Sequence, residues 1–178
     1  MIEPVCIRPA SVIDAAEIAS IHCSIWRDAY ANVLDPAFLA GPIDKNRRAL
    51  WLARLTIPSK EQTVLVAEMP STGLAAFICL YCKHDAQWGH LIDNLHVLPH
   101  LRGRRVGEQL MRAAALSVRS EVETIGLHLW AFEANEPSLR FYQRLGGQVV
   151  ERGVSEISAA NGAPVLRVFW PDSLTLLR

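Results

Sequence analysis

A basic, glycine-containing loop is the part of this 178-residue sequence whose residue types most clearly indicate chemistry. Residues 94–107 read NLHVLPHLRGRRVG, which predicts a β-strand, a tight turn and the start of a helix. The first turn of a helix presents free backbone N–H groups and a partial positive charge, and glycine allows the backbone to close around a phosphate. We therefore predict an anion-binding site between Arg102 and Gly107.

The charge of this loop contrasts with the balance of the whole chain. Residues 102–119 contain five arginines and one acidic residue, whereas the complete sequence has 18 basic and 18 acidic residues. Zero net charge, and the absence of aromatic residues between these arginines, argue against RNA or another nucleic acid as partner. Neither a P-loop nor a dinucleotide-binding fingerprint is present. A phosphate bound locally and a solvated arginine-rich loop are the two interpretations that remain.

A second segment, residues 135–146, places an asparagine before an amphipathic helix that ends in glycine. It reads NEPSLRFYQRLG and carries Tyr142 within the predicted helix. From this segment alone, Tyr142 is more simply interpreted as a core aromatic residue on the apolar face of the helix.

Hydrophobic periodicity predicts the elements that must position these two segments. Helices are predicted between Ser11 and Ala29, between Asp44 and Pro58, over 106–119 and over 135–145, and strands over 5–8, 63–69, 74–82, 88–97, 124–132, 148–157 and 165–170. The strand–helix–strand crossover after residue 88 should be parallel and right-handed, while the hairpins are antiparallel. The pattern predicts one α/β (α+β) domain over residues 1–178, with helices on both faces of a single sheet.

Composition excludes several classes of protein. The longest uninterrupted apolar run, residues 74–82, is far shorter than the roughly 18 to 20 residues that cross a membrane. Glu3 stands where a secretory signal has basic residues, so we expect a cytoplasmic protein without membrane association. Cys79 and Cys82 have a zinc-like spacing, but residues three apart in a strand face opposite sides, and no second Cys-x-x-Cys completes the ligand set. We therefore expect no metal site.

The loop resembles motif A of the Gcn5-related N-acetyltransferases (GNAT). Members of this family carry a valine and a proline followed by Arg/Gln-x-x-Gly-x-Gly/Ala at a strand-to-helix turn. Arg102 and Gly107 match the first and last positions of this pattern, and Arg105 stands in place of the first glycine. A side chain at that position restricts how closely the backbone can approach a pyrophosphate, although Gly103 relieves part of this constraint.

Residues 135–146 resemble motif B of the same family. Ser138 stands where alanine is usual and Gly147 where phenylalanine is usual, and we expect both to be tolerated in packing. The resemblance extends over residues 7–170 and is strongest over 91–146. It implies a mixed, mostly antiparallel sheet of six to seven strands with a central parallel pair.

The resemblance implies that the cosubstrate acetyl-CoA lies in a V-shaped opening between the strands that end near Val97 and Phe132. Backbone groups of Leu95 and Val97 would pair with the pantetheine arm, and a backbone N–H near His96 would polarise the thioester carbonyl. The pyrophosphate would bind N–H groups of the loop, and Asn135 would orient the cofactor. The implied cofactor-binding residues are Leu95, His96, Val97, Arg102, Gly103, Arg104, Arg105, Val106, Gly107 and Asn135.

The same resemblance assigns Tyr142 as the acid that protonates the departing thiolate, since a phenol with a pKa of about 10 can donate to a thiol with a pKa near 8.5. The base is open. Asp93 is predicted on the same side of its strand as Leu95 and Val97, where it could act directly or through water. Alternatively, Asp93 is a buried carboxylate that caps a neighbouring loop, and His96, on the other face of the strand, is a further candidate base.

The expected function is transfer of the acetyl group of acetyl-CoA directly to a primary amine, small molecule or peptide, through a ternary complex. Trp26 and Tyr30 are candidate acceptor-pocket residues whose rings suit a cation or an apolar group, while packing of the helix on the sheet is another account of Trp26. A non-catalytic module that binds CoA or another ligand as a sensor is the alternative function, which Arg105 keeps open. The resemblance also allows a homodimer formed through the last strands.

Overall fold

The computed structural model describes residues 3–118 and 125–177, and its helices and strands follow the predicted order. The helices are α1 (Ala15–Ala29), α2 (Pro36–Ala40), α3 (Pro42–Thr56), α4 (Val106–Ser117) and α5 (Glu136–Arg144). The strands are β1 (Cys6–Pro9), β2 (Gln62–Met69), β3 (Gly73–Asp85), β4 (Gly89–Val97), β5 (Leu127–Phe132), β6 (Gln148–Val154) and β7 (Pro164–Trp170). Arg119 and Thr124, at the ends of a predicted helix and a predicted strand, lie outside the described residues.

The strands form one seven-stranded sheet in the order β1-β2-β3-β4-β5-β7-β6. Every neighbouring pair is antiparallel except β4 and β5, which are parallel and connected through α4. The predicted mixed sheet with a central parallel pair and helices on both faces is therefore confirmed.

The helices cover the two faces of the sheet differently. On one face, α4 and α5 pack over a core that includes Leu110, Tyr142 and Trp170. On the other face, α1 and α3 pack over β2 and β3 around Ile18 and Trp51. Within residues 3–118 and 125–177, no helix is long and apolar enough to cross a membrane.

An unpredicted helix, α2, precedes the second predicted helix. Asp35 caps the unpredicted helix α2, because its carboxylate accepts a hydrogen bond from the Ala37 N–H at 2.8 Å. The next helix, α3, begins at Pro42, so that Asp44, which was predicted as its cap, lies in the first turn and pairs with Arg27 instead.

Strand ends also differ from the prediction. β3 continues to Asp85, through residues that the composition predicts as a bend, and β6 ends at Val154 rather than at 157. Asn161 and Gly162, whose φ angles are +48° and +72°, form a tight turn closed by a hydrogen bond from the Ala163 N–H to the Ala160 carbonyl at 2.9 Å. A left-handed conformation at both positions is readily adopted by Asn and Gly.

Candidate active site

β4 and β5 separate after three paired positions. Residues 90–92 pair with residues 127–129, but β4 continues to Val97 and β5 to Phe132 without further pairing between them. A V-shaped opening therefore lies between their C-terminal ends. It belongs to a continuous cleft of about 1810 Å³ that is lined both by the loop before α4 and by side chains of α1 and α3.

A β-bulge lies at the start of this opening. Asp93 and Asn94 of β4 stand opposite a single residue of β3, so both side chains point toward α3. There they accept hydrogen bonds from Arg54 Nη1 at 2.7 and 3.2 Å. Leu95 and Val97 instead pack on the α4 face. The prediction that Asp93 shares a side with Leu95 and Val97 is therefore wrong, because strict alternation does not hold across a bulge.

The turn between β4 and α4 keeps the backbone shape of an anion-binding loop although Arg105 replaces a glycine. Gly103 has a φ of +79° and Arg105 a φ of +62°. A left-handed conformation costs a non-glycine residue roughly 1 to 2 kcal/mol. Arg105 adopts it at the N-cap of α4 with its side chain exposed. The loop thus tolerates this departure from the motif at a conformational cost.

Backbone donors at the start of α4 are available to a ligand. The helix begins at Val106, and the first N–H groups of a helix have no acceptor within it. Gln109 is the first residue whose N–H bonds back to the preceding turn, at 3.0 Å, which leaves the N–H groups of residues 106–108. The loop is fastened to α1 by an ion pair between Arg102 and Asp28 at 3.0 Å. This arrangement is suited to an anion.

Two glycines of the motifs have packing roles. A Cβ on Gly107 would lie 3.3 Å from Phe141 Cζ and 3.4 Å from Val97 Cγ2, so this residue allows α4 to pack closely on α5 and β4. A Cβ on Gly147 would lie 2.6 Å from Trp170 Cζ2. The indole of Trp170 therefore fills the space that a larger residue at position 147 would need, which explains the departure from motif B.

Asn135 connects the start of α5 with the end of α1. Its Oδ1 accepts a hydrogen bond from the Ser138 N–H at 3.3 Å, and its Nδ2 donates to Tyr30 Oη at 3.4 Å. The Tyr30 ring contacts Phe132, with 4.9 Å between ring centroids, at the end of β5. Burial raises the pKa of Tyr30. Asn135 thus fixes a helix and a tyrosine beside the opening.

Tyr142 lies on α5 and lines the cleft with an 8% exposed side chain. Its ring centroid is 5.3 Å from that of Phe141 and 6.1 Å from that of Trp170. Burial raises the pKa of Tyr142 above its ordinary value, and the nearby Tyr30 phenol raises it further. The phenol is therefore protonated at physiological pH and can donate a proton.

His96 lies on the α1 face of β4, as predicted by alternation from Leu95, and is buried against His22. Their ring centroids are 4.6 Å apart. Burial lowers the pKa of His96 to about 3, with contributions from the positive charges of Arg102 and Arg47. The ring is therefore neutral at neutral pH and is a weak base. No group of three or more His, Cys, Asp or Glu within the described ranges could hold a metal ion.

The cleft has a second wall, which we call the α1–α3 wall. It is formed by Trp26 of α1, Tyr30 directly after α1, and Arg47 and Arg54 of α3. Trp26 is 4% exposed, and the Arg47 guanidinium lies over its ring at 4.7 Å from the centroid. This contact occupies one face of the Trp26 ring and, with its burial, favours the packing account of Trp26.

Sequence analysis missed Arg47 and Arg54. Their spacing of seven residues places them on one face of a helix, which is the signal that could have identified them. Charged residues on a predicted helix are normally interpreted as a solvated face, and neither lies near the motifs in sequence.

Comparison with known proteins supports the resemblance. A domain description for acetyltransferases of the GNAT type matches residues 60–146. The structure of PaiA N-acetyltransferase from Thermoplasma acidophilum in complex with coenzyme A is similar over 92% of this chain and 98% of that chain, with 16% identity and a TM-score of 0.73. YncA from Salmonella typhimurium with its cofactor acetyl-CoA is similar over 94% and 93%, with 16% identity and a TM-score of 0.64.

A third similar structure is that of the spermidine N-acetyltransferase SpeG from Vibrio cholerae. The similarity extends over 98% of this chain and 96% of the SpeG chain, with 14% identity and a TM-score of 0.68. At these identities the structures establish a shared fold. Residues 60–146, which contain both motifs, match the GNAT acetyltransferase domain, and the chain shares the fold of these structures.

Proposed function

We propose that the chain is an N-acetyltransferase that transfers the acetyl group of acetyl-CoA directly to a primary amine within a ternary complex. The observation that carries the proposal is the separation of β4 from β5 beside both the 102–107 loop and Tyr142. One cleft thus combines a strand edge with free backbone groups, an anion-binding helix start and a protonated phenol. The complexes of PaiA with coenzyme A and of YncA with acetyl-CoA support this choice of cosubstrate.

The residues of the opening fit acetyl-CoA. Backbone groups of Leu95 and Val97 lie on the edge of β4 that has no partner strand, and they would pair with the pantetheine arm, with a backbone N–H near His96 polarising the thioester carbonyl. The N–H groups of the loop from Arg102 to Gly107 would hold the pyrophosphate. Bound acetyl-CoA supplies a thioester, which a positioned amine can attack without a covalent enzyme intermediate.

The proton transfers are assigned to Tyr142 and Asp93. Tyr142 donates a proton to the departing thiolate, for which its raised pKa keeps it protonated. Asp93 accepts a proton from the acceptor ammonium, directly or through one water, on the face that the bulge turns toward α3. Arg54 holds this carboxylate in place at 2.7 Å.

Release of the CoA thiol tests this proposal. Purified full-length protein is mixed with acetyl-CoA and a panel of primary amines, and both free thiol and the acetylated product are measured. We expect thiol release that requires both substrates. Binding of acetyl-CoA, detected as a rise in melting temperature, without thiol release for any amine would instead support a binding or sensor module. Absence of binding would reject both functions.

A further inference from the structure

Arg47 differs from every other arginine that the structure describes, because it is half-buried and has no carboxylate partner. The arginines with a carboxylate within ion-pair distance are Arg8, Arg27, Arg54, Arg102, Arg112, Arg140, Arg152 and Arg167. The others, apart from Arg47, are exposed: Arg48, Arg104, Arg105 and Arg144. A partly desolvated charge is costly unless it is paired. The pairing group of Arg47 is therefore absent from the described chain.

The Arg47 guanidinium is held in a fixed position with one end free. It stacks over Trp26, and its Nε and Nη2 donate to Asn46 Oδ1, the Nε bond being 2.9 Å long. No residue within the described ranges accepts a hydrogen bond from Nη1. A planar guanidinium that is already oriented loses little freedom when it binds an anion.

The groups around Arg47 offset its charge only in part: burial and Arg54 lower its pKa by more than Cys23 and Asp93 raise it. Arg54, on the same helix face, adds a second positive charge, and its own carboxylate partner is Asp93. Burial lowers the pKa of both His22 and His96, which are therefore neutral. Burial also lowers the pKa of Arg47, and Arg54 lowers it further. An anionic ligand would relieve both effects.

Arg47 belongs to the same cleft as the V-shaped opening. Trp26 below the guanidinium contacts the His22 ring at 4.7 Å between centroids, and His22 contacts His96 at 4.6 Å. Two ring contacts thus separate Trp26 from the strand at which the acetyl group is proposed to lie. A small molecule that spans this distance would have one end at the opening and the other at Arg47.

We propose that the acceptor amine also carries an anionic group, a carboxylate or a phosphate, which Arg47 binds on the α1–α3 wall. The proposal rests on the proposed function, since it names the acceptor class of the same site. Guanidinium forms paired hydrogen bonds with either anion. A polyamine would instead bring further positive charge to Arg47 and Arg54, and could not use the covered face of Trp26.

The test compares matched acceptors and matched variants. Glycine, β-alanine and 4-aminobutyrate are measured against their primary amides, and 2-aminoethylphosphonate represents the phosphate type. The proteins are the wild type, Arg47→Gln, Arg47→Lys and the control Arg48→Gln, which changes an exposed arginine on the same helix. Both kcat/KM and binding to the CoA-saturated protein, by calorimetry, are recorded. Circular dichroism verifies that each variant is folded.

We expect at least one anionic amine to exceed its amide by about tenfold or more in kcat/KM, mainly through KM, as for a charge-assisted contact. Arg47→Gln should abolish this preference, Arg47→Lys should retain part of it, and Arg48→Gln should not change it. Whichever acceptor type, carboxylate or phosphonate, has the higher kcat/KM identifies the anion.

The two proposals can fail separately. Transfer to amides and acids with equal efficiency, or a preference that survives in Arg47→Gln, would overturn the anion site and leave the transferase intact. Arg47-dependent binding of an anionic amine without thiol release would uphold the anion site and overturn the transferase. If none of these acceptors binds and none is acetylated, the anion site is contradicted for amines of this size.

Discussion

The groups available to a ligand on the loop side of the opening are backbone N–H groups of one continuous segment, whereas on the α1–α3 wall they are side chains from two helices. The loop side is formed by residues 102–108, which follow one another in sequence. The wall brings α1 and α3 against the bulge in β4, which lies far along the chain. The loop keeps its backbone conformation with an arginine at position 105, whereas the wall depends on the identity of each side chain that forms it.

Substitution of Tyr142 should have the largest effect on turnover. If Tyr142 protonates the leaving thiolate, the reaction requires it whichever amine is bound on the α1–α3 wall. Tyr142→Phe should lower kcat by about 100-fold, the usual minimum for loss of a general acid. The melting temperature should change little, since the ring packing is kept. Steady-state kinetics with saturating acetyl-CoA measure the effect. A turnover rate within about twofold of wild type would contradict the assignment.

The pH dependence of stability tests the neutral histidines behind the α1–α3 wall. Burial lowers the pKa of His96 to about 3 in the folded protein, below its value of about 6.5 in an unfolded chain. The unfolded state therefore binds more protons below pH 6.5. Stability contributed by the neutral ring is complete above that pH and is lost as the pH falls, by about 1.4 kcal/mol per pH unit.

Urea unfolding between pH 7.5 and pH 4.5 measures this slope. His96→Asn should show a shallower decline than wild type, and the control His100→Asn, at an exposed position, should show the same decline as wild type. An unchanged slope in His96→Asn would show that His96 is protonated equally in both states.

The variant Asp93→Asn should impair the reaction of the amine while leaving the binding of acetyl-CoA unchanged, and so distinguishes the two sides of the opening. The amide keeps the shape of the side chain and a hydrogen bond to Arg54, but it cannot take up the proton of an ammonium. We expect kcat/KM for the amine to fall about tenfold or more, with KM for acetyl-CoA within about twofold of wild type. Glu136→Gln, at an exposed carboxylate of α5, is the control. A change in the KM for acetyl-CoA alone would contradict the assignment.

Arg105→Gly should have the smallest effect. Glycine adopts the left-handed conformation without the penalty that Arg105 incurs, but it also increases the freedom of the unfolded chain. The free energy of unfolding should therefore change by no more than about 1 kcal/mol, and acetyl-CoA affinity by no more than about threefold. Calorimetric titration measures the affinity. A larger loss would mean that the Arg105 side chain itself contacts the cofactor.

The sequence predicts the loop side well because its signals are local. The strand, the turn with Gly103, and the start of α4 lie within one short segment, and the order of the elements determines that β4 and β5 are parallel. Comparison with motif A also identifies Arg105 as the position at which the chain departs from the family pattern. Only the backbone geometry shows that the loop nevertheless keeps its shape.

The α1–α3 wall could not be predicted in the same way. The bulge at Asp93 has no signature in the alternation of residues, so the side of the strand that Asp93 faces was assigned wrongly. Arg47 and Arg54 acquire their meaning only when tertiary packing places α3 beside Trp26 and β4. Whether an arginine has a carboxylate partner depends on its tertiary contacts, which the spacing of residues in the sequence does not reveal.

The extra residue in β4 leaves the core pattern of the strand unchanged. Ile92 and Leu95 pack on the α4 face, while Asn94 and His96 face the other side, as they would in a regular strand from which Asp93 had been removed. A single-codon insertion can therefore add a carboxylate to the cleft without requiring any compensating change in the core. The side of the sheet that faces α1 and α3 can thus gain or lose a polar side chain at this position while the face under α4 keeps its packing.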